Sequence, residues 1–147
     1  MLLDKSHGTI GLGCLVHDHL GRVAAACSEP VPQPLNPTLL WPFPLLRAVV
    51  FARDLGFFDL MIEGECRTLF RALSTVSDLS QASLLIDDIK CILSSFRVVN
   101  FNPICSICNR ASQKLAKLAC GQDSSEVWLG ACPPNVLDIV TSDSLVS

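Results

Sequence analysis

A chain of 147 residues is long enough to bury one real core and too short for two comfortable domains. Half of it is hydrophobic, 17% is charged and the mean hydropathy is +0.44, which excludes a polar disordered chain and leaves apolar surface for a partner or for aggregation. A formal net charge of -3 and a pI near 5.5 count against strong sequence-independent phosphate binding, which draws on a basic face.

The start, MLLDKSHGTIGLGCLVHDHL, puts charge where a secretory signal needs an apolar run, and Arg47, Arg53 and Asp54 interrupt the longest candidate for a membrane span. The chain is therefore expected to be intracellular and off the membrane, with its eight cysteines as reduced thiols. Cys105 and Cys108 have C-x-x-C spacing, but no second pair follows to complete a zinc site.

Thr9 to Val16 and Arg22 to Cys27 flank the polar turn HDHLG, the pattern of a β-hairpin. His17 and His19 bracket Asp18 there and read as solvated turn residues, since no further metal ligand stands nearby in sequence. Gly11-Leu12-Gly13 lies inside the first strand pattern and binds no phosphate by itself. SEPVPQPLNP follows as a Pro-rich loop, neither helix nor central strand. LLRAVVFARDLGFF repeats its apolar residues at helical spacing and stops at Gly56, while Pro42 and Pro44 are expected to keep a regular helix from starting before Leu45.

FDLMIEG is a short buried strand that runs into Glu63 and Glu65, and a carboxylate at such a strand end is costly without a partner or a metal. CRTLFRAL and SQASLLIDDIKCILSSF are helices, the second carrying Asp87 and Asp88 on what reads as a solvated face. RVVNFN is another strand, and CNRASQKLAKLA an amphipathic helix closed by Gly121. The tail SSEVWLGACPPNVLDIVTSDS reads as irregular, with Trp128 and Val136 placed to dock on the core. An antiparallel start followed by alternating helices and strands predicts a mixed α/β sheet with helices packed on it.

Three segments in order, GLGCLVHDHLGRVAAA, LLRAVVFARDLGFFDLMIEGEC and CNRASQKLAKLA, resemble the ribonuclease H–like domain of plant proteins and plant retroelements. That family reads GxGxVxRDxxGxxxxA, then AExxALxxxLxxAxxLGxxxxxxExDS, then ExNxxADxLAKxA, and its usual ending has the Trp, paired prolines and Asp of VWLGACPPNVLDIVTSD. The resemblance places the domain at residues 1–120 and the family's extension at 121–147. It implies a ribonuclease H–like mixed sheet flanked by helices, an RNA–DNA hybrid as partner, and hydrolysis of the RNA strand by two Mg²⁺ ions held by several carboxylates.

The family's acids come in the order Asp, Glu, Asp, Asp. The first belongs to an opening strand upstream of Gly11, where this chain has only Asp4. Either the connecting loop is sharply shortened and Asp4 serves, or DKSHG is that loop and the first central strand is missing or very short; the second is the expectation. A missing strand would leave its neighbours without hydrogen-bond partners. It would also make the chain a truncated or decayed copy. The family's Glu falls on Trp41, an indole beside Pro42 that cannot ligate a cation. Its third acid lands on Glu65, longer than Asp by one methylene, with Glu63 at a non-ligand position. The fourth lands on neutral Gln113. The resemblance therefore implies a pseudoenzyme in which Glu65 is the surviving metal position and Mg²⁺ is not bound as a pair. A protein-interaction module or a retroelement remnant is the alternative, and the oligomeric state is left open.

Overall fold

The computed structural model describes residues 2–6, 9–31, 42–65 and 81–146, in a chain that divides into two compact units. One unit joins Met1–Pro34 to Ser106–Ser147; the other is Leu35–Cys105.

The first unit is built outward from the predicted hairpin. β2 (Thr9–His17) and β3 (Val23–Val31) pair antiparallel around a turn that Asp18 organises. Its carboxylate accepts the Leu20 and Arg22 backbone N–H groups, both at 2.9 Å, and the Arg22 Nε–H at 2.8 Å. Gly21 sits at φ +78°, the left-handed conformation that glycine adopts without steric cost. His17 and His19 are exposed on this turn, as expected of solvated residues.

β1 (Leu2–Ser6) lies antiparallel to β2. This corrects the reading of DKSHG as a loop: Asp4 pairs with Gly11, Lys5 with Ile10 and Ser6 with Thr9. The first strand is very short but present. Only two residues separate Ser6 from Thr9, so the pairing satisfies the backbone groups of Asp4 and Lys5 at small loop-closure cost.

A second correction concerns SEPV, assigned to the Pro-rich loop. Ser28–Val31 continue β3, with Glu29 opposite Leu12 and Pro30 opposite Gly11. The reason lies on the far side of β3. There β6 (Glu126–Leu129) pairs with Ala25–Ser28 and stops. The Gly130 N–H donates to the Ala24 carbonyl at 2.7 Å, so Ala24, Ala26 and Ser28 turn their backbone groups toward β6. Pro30 has the same parity but lies beyond β6, where its missing N–H breaks no ladder bond. The sheet order is β1-β2-β3-β6.

One helix, α3 (Arg110–Ala119), packs on this sheet after a 3₁₀ turn at Ser106–Asn109. Its buried row is Ala111, Ser112, Leu115, Ala116 and Ala119. Gly11 and Gly13 lie directly beneath it. A Cβ on Gly13 would stand 2.8 Å from Leu115 Cβ, 2.5 Å from Ala116 N and nearer still to the Ser112 carbonyl oxygen. The Gly-Leu-Gly of β2 is thus a seat for a helix backbone. The buried Ser28 hydroxyl fixes the helix by donating to the Leu115 carbonyl at 2.7 Å.

The tail is not irregular, a third correction. Besides β6 it forms α4 (Pro134–Val146), a helix rich in Val, Thr, Ser and Asp and therefore weak on propensity alone. Its start accepts proline, and the Pro133 carbonyl takes the Val136 and Leu137 N–H groups, both at 2.9 Å. Packing supplies the rest: Val136 is fully buried with Ala26, Ala111 and Leu115, and Trp128, Ile139 and Val140 pack against that cluster. Trp128 and Val136 dock on the core as the sequence implies.

The second unit holds α1 (Pro42–Asp54), β4 (Asp59–Gly64), α2 (Gln81–Leu93) and β5 (Val98–Pro103). α1 starts at Pro42 and not at Leu45, because the first turn of a helix has no intrahelical N–H bonds for proline to lose. Its end is a Schellman motif: Gly56, at φ +83°, donates to Arg53 O at 2.9 Å, and Phe57 donates to Ala52 O at 3.3 Å. β4 and β5 pair in parallel, from Asp59 opposite Val98 to Gly64 opposite Pro103. The helix read at CRTLFRAL lies outside the described residues. Antiparallel and parallel strands together with these helices make the mixed α/β class expected.

Candidate nucleic-acid interface

The acids singled out in the sequence fall in both units. In the second unit, β4 delivers Glu63 and Glu65 at its C-terminal end. The Ile62 side chain is buried and Glu65 is exposed just past the strand, so the alternation of the strand carries Glu65 into solvent. Glu63 is not a bare acid: Asn102, directly opposite on β5, donates its Nδ2–H to the Glu63 carboxylate at 3.2 Å. At the other end of the same pair, Arg97 grips Asp59 through two hydrogen bonds, the Nε–H at 2.9 Å. That guanidinium holds the Asp59 carboxyl below its ordinary range, and the carboxylate in turn raises Arg97. Trp41 lies outside the described residues.

In the first unit, Asp4 occupies the middle of β1, at the register of Gly11. Gln113 stands in the opening turns of α3, where its Nε2–H donates to the Ser106 carbonyl of the preceding 3₁₀ turn at 3.0 Å. That bond explains an amide here. A carboxylate at the same place would set an anion against a carbonyl oxygen. Asn109, which matches the Asn of the resemblance, is buried immediately before α3.

The fit to divalent cations follows from this donor set. Gln113 is neutral, with its amide nitrogen committed to Ser106 O, and an indole stands at position 41. Among the described residues no group of three or more His, Cys, Asp or Glu side chains is placed to hold a metal ion. By the resemblance, these are positions where several carboxylates would neutralise a pair of Mg²⁺ ions.

The outer side of α3 has a different character. Arg110, Lys114 and Lys117 follow one another at helical spacing, opposite the buried row, with Arg110 and Lys117 exposed and Lys114 half-buried. The helix carries no acid. Sequence reading took this segment as an amphipathic helix and did not single out its cations as one row. The signal was available, because i, i+4, i+7 spacing on an amphipathic helix puts them on one face. Among the described residues no helix is long and apolar enough to cross a membrane.

Comparison with known proteins bears on the fold. The RNase H1 of the halophilic archaeon Halobacterium salinarum NRC-1 superposes with a TM-score of 0.70 at 17% identity, over 80% of this chain and 92% of that one. The N-terminal RNase H domain of Rv2228c from Mycobacterium tuberculosis, solved fused to maltose-binding protein, gives 0.69 at 18% identity, over 82% and 89%. At such identities the likeness shows a shared ribonuclease H–like fold. A search of curated proteins gives no match. The profile of the reverse transcriptase-like family matches residues 3–119, most of the chain. With its strand order, its helix seat on β2 and that match together, the chain belongs to the reverse transcriptase-like family.

Proposed function

We propose that this chain is a ribonuclease H–type domain that contacts RNA–DNA hybrid through its phosphates and no longer cleaves it. Residues 1–120 carry the domain and 121–147 the family's extension. The observation that carries the reading is Gln113: an amide donating to Ser106 O occupies the position where the resemblance requires the fourth carboxylate. With Trp41 at the second position, Glu65 and Asp4 are left to hold two divalent cations, which is too little negative charge. Binding needs no such set. The row Arg110, Lys114 and Lys117 presents three cations at spacings of about 6 and 4.5 Å along the helix axis, from a rise of about 1.5 Å per residue.

The test uses the full chain with a labelled RNA–DNA hybrid, in Mg²⁺ or Mn²⁺, beside a gel-shift titration over a series of salt concentrations. No cleavage and a salt-sensitive shift are expected. Replacing all three cations of the row by Ala should flatten the slope of log K against log salt by about 2 to 3. Cleavage that disappears in Glu65→Gln would overturn the loss of catalysis. A shift absent at low salt would overturn the binding. The second reading is a protein-interaction module, favoured by Val127 and Leu129, which are 53% and 70% exposed on β6.

A further inference from the structure

We infer that Cys14 and Cys27 are an oxidisable thiol pair, which a small peroxide converts into a disulfide linking β2 to β3. The two residues are direct partners in the β2–β3 ladder. They share the sheet face turned away from α3, because the helix covers Gly11, Gly13 and Ser28, and strand side chains alternate. Ile10, Leu12, Ala25 and Val31 lie on that same face, and all are buried. Cys14 and Cys27 are 6% and 8% exposed, and both are reduced.

The ladder parity supplies the spacing. Ala24, Ala26 and Ser28 turn their backbone groups to β6, so Ala25, Cys27 and Glu29 turn theirs to β2. Cys14 and Cys27 therefore form a hydrogen-bonded pair, with Cα atoms about 5.5 Å apart, inside the range of about 4.4–6.8 Å that a disulfide spans. Cβ atoms of a hydrogen-bonded pair stand at the wide end of about 4.5–5.5 Å, and a disulfide wants about 3.8 Å, so the strands must draw together locally by about 1.5–2 Å and the link carries strain. Other described cysteines are placed differently. Cys120 bonds the Ala116 carbonyl within the α3 segment, Cys132 packs on the α3 side of the sheet, and Cys91, Cys105 and Cys108 are exposed.

The reaction proceeds in two balanced steps. One thiolate attacks hydrogen peroxide, the O–O bond breaks, and a sulfenic acid and hydroxide form, the hydroxide taking up the proton released by that thiol. The second thiol attacks the sulfenic sulfur, the S–O bond breaks, and the hydroxyl leaves as water with that thiol's proton. Overall two thiols and one peroxide give one disulfide and two waters. Burial pushes the Cys14 thiol up, so it reacts more slowly than the exposed cysteines.

The experiment treats the folded, full-length, reduced chain with hydrogen peroxide in a background where Cys91, Cys105 and Cys108 are serine. Remaining thiols are then alkylated under denaturing conditions, and the protein is digested for mass spectrometry. The expected result is one link joining the Cys14 and Cys27 peptides, a mass lower by two hydrogens, and return of both thiols with dithiothreitol. Cys14→Ala and Cys27→Ala each remove the link and leave the partner alkylated, and circular dichroism verifies that each variant is folded. A second pair, Cys14→Ser and Cys27→Ser, serves where alanine prevents folding. Recovery of Cys14 and Cys27 alkylated after peroxide treatment overturns the inference. So does linkage of either one only to Cys66, Cys120, Cys132 or a second chain.

Discussion

Replacing Gly13 by Ala sets one methyl group against a helix backbone. The added Cβ would stand 2.8 Å from Leu115 Cβ and 2.5 Å from Ala116 N, where carbon contacts settle at about 3.5–4.0 Å. None of these atoms is the free end of a flexible side chain, so α3 itself must retreat by about an ångström. A gap of that size forfeits roughly a quarter to a half of each dispersion contact along the buried row of Ala111, Leu115, Ala116 and Ala119. Overpacking of this kind costs about 1–3 kcal/mol, and the strained Ser28 to Leu115 bond adds about 1 kcal/mol. Against this, loss of glycine's unfolded-state freedom returns about 0.5 kcal/mol. The net expectation is about 3 kcal/mol, a large part of a stability of about 5–15 kcal/mol. Urea unfolding followed by Trp128 fluorescence, in a Trp41→Phe background, reads the unit concerned. Gly121→Ala is the control: its nearest neighbour is Leu118 O at 3.8 Å, and a change within about 0.5 kcal/mol is expected. A loss under about 1 kcal/mol for Gly13→Ala, at an unchanged m-value, would refute the close seating of α3 on β2.

Three other perturbations probe the same unit. Val136→Ala empties part of a fully buried cluster and should cost about 2 kcal/mol, read as a lower urea midpoint; no change would mean that α4 does not dock where it is placed. Ser28→Ala removes the hydroxyl that donates to Leu115 O and should cost about 1 kcal/mol in the same titration, with the helix carbonyl still accepting within α3. Asp18 carries a pH signature. The Arg22 backbone N–H above all, with the Arg22 side chain and the Leu20 N–H, holds its carboxyl below the ordinary 3.8, against desolvation, which opposes them and is second in size only to the Arg22 N–H. A depressed carboxylate contributes stability that is present above pH 3.8 and lost as pH falls through its lower folded value. The stability gap between wild type and Asp18→Asn should thus narrow in acid below that value; a gap that stays constant from neutral pH into that window contradicts the role of the turn.

Much of the fold was readable where local signals agree with tertiary demands. The hairpin turn at Asp18 and Gly21, the stop at Gly56 and the amphipathic α3 each follow from short-range chemistry. The misreadings share a cause. Pro30 and Pro42 were taken as barriers, yet proline interferes only where its N–H would have a partner, and that depends on which strand or turn lies beside it. The β6 and α4 segments have weak propensity and form because Trp128 and Val136 find the α3 cluster; the two anchors were readable, the strand and helix they impose were not. The short β1 was invisible for a similar reason: five residues pair only because β2 waits opposite. At the site, Gln113 and Glu65 were legible by resemblance, whereas the Asn102 partner of Glu63 and the Ser106 partner of Gln113 needed the register and the 3₁₀ turn.

Pro30 also shapes how one copy of this chain meets another. Beyond the last β6 pair, the outer flank of β3 ends in an imino acid, which has no hydrogen to lend a newcomer. A foreign strand trying to lengthen the sheet at that margin would meet a missing rung, the same safeguard by which many β proteins resist fibrous stacking. In a chain with a mean hydropathy of +0.44, a residue that at first sight looks like punctuation thus limits where a second strand can add.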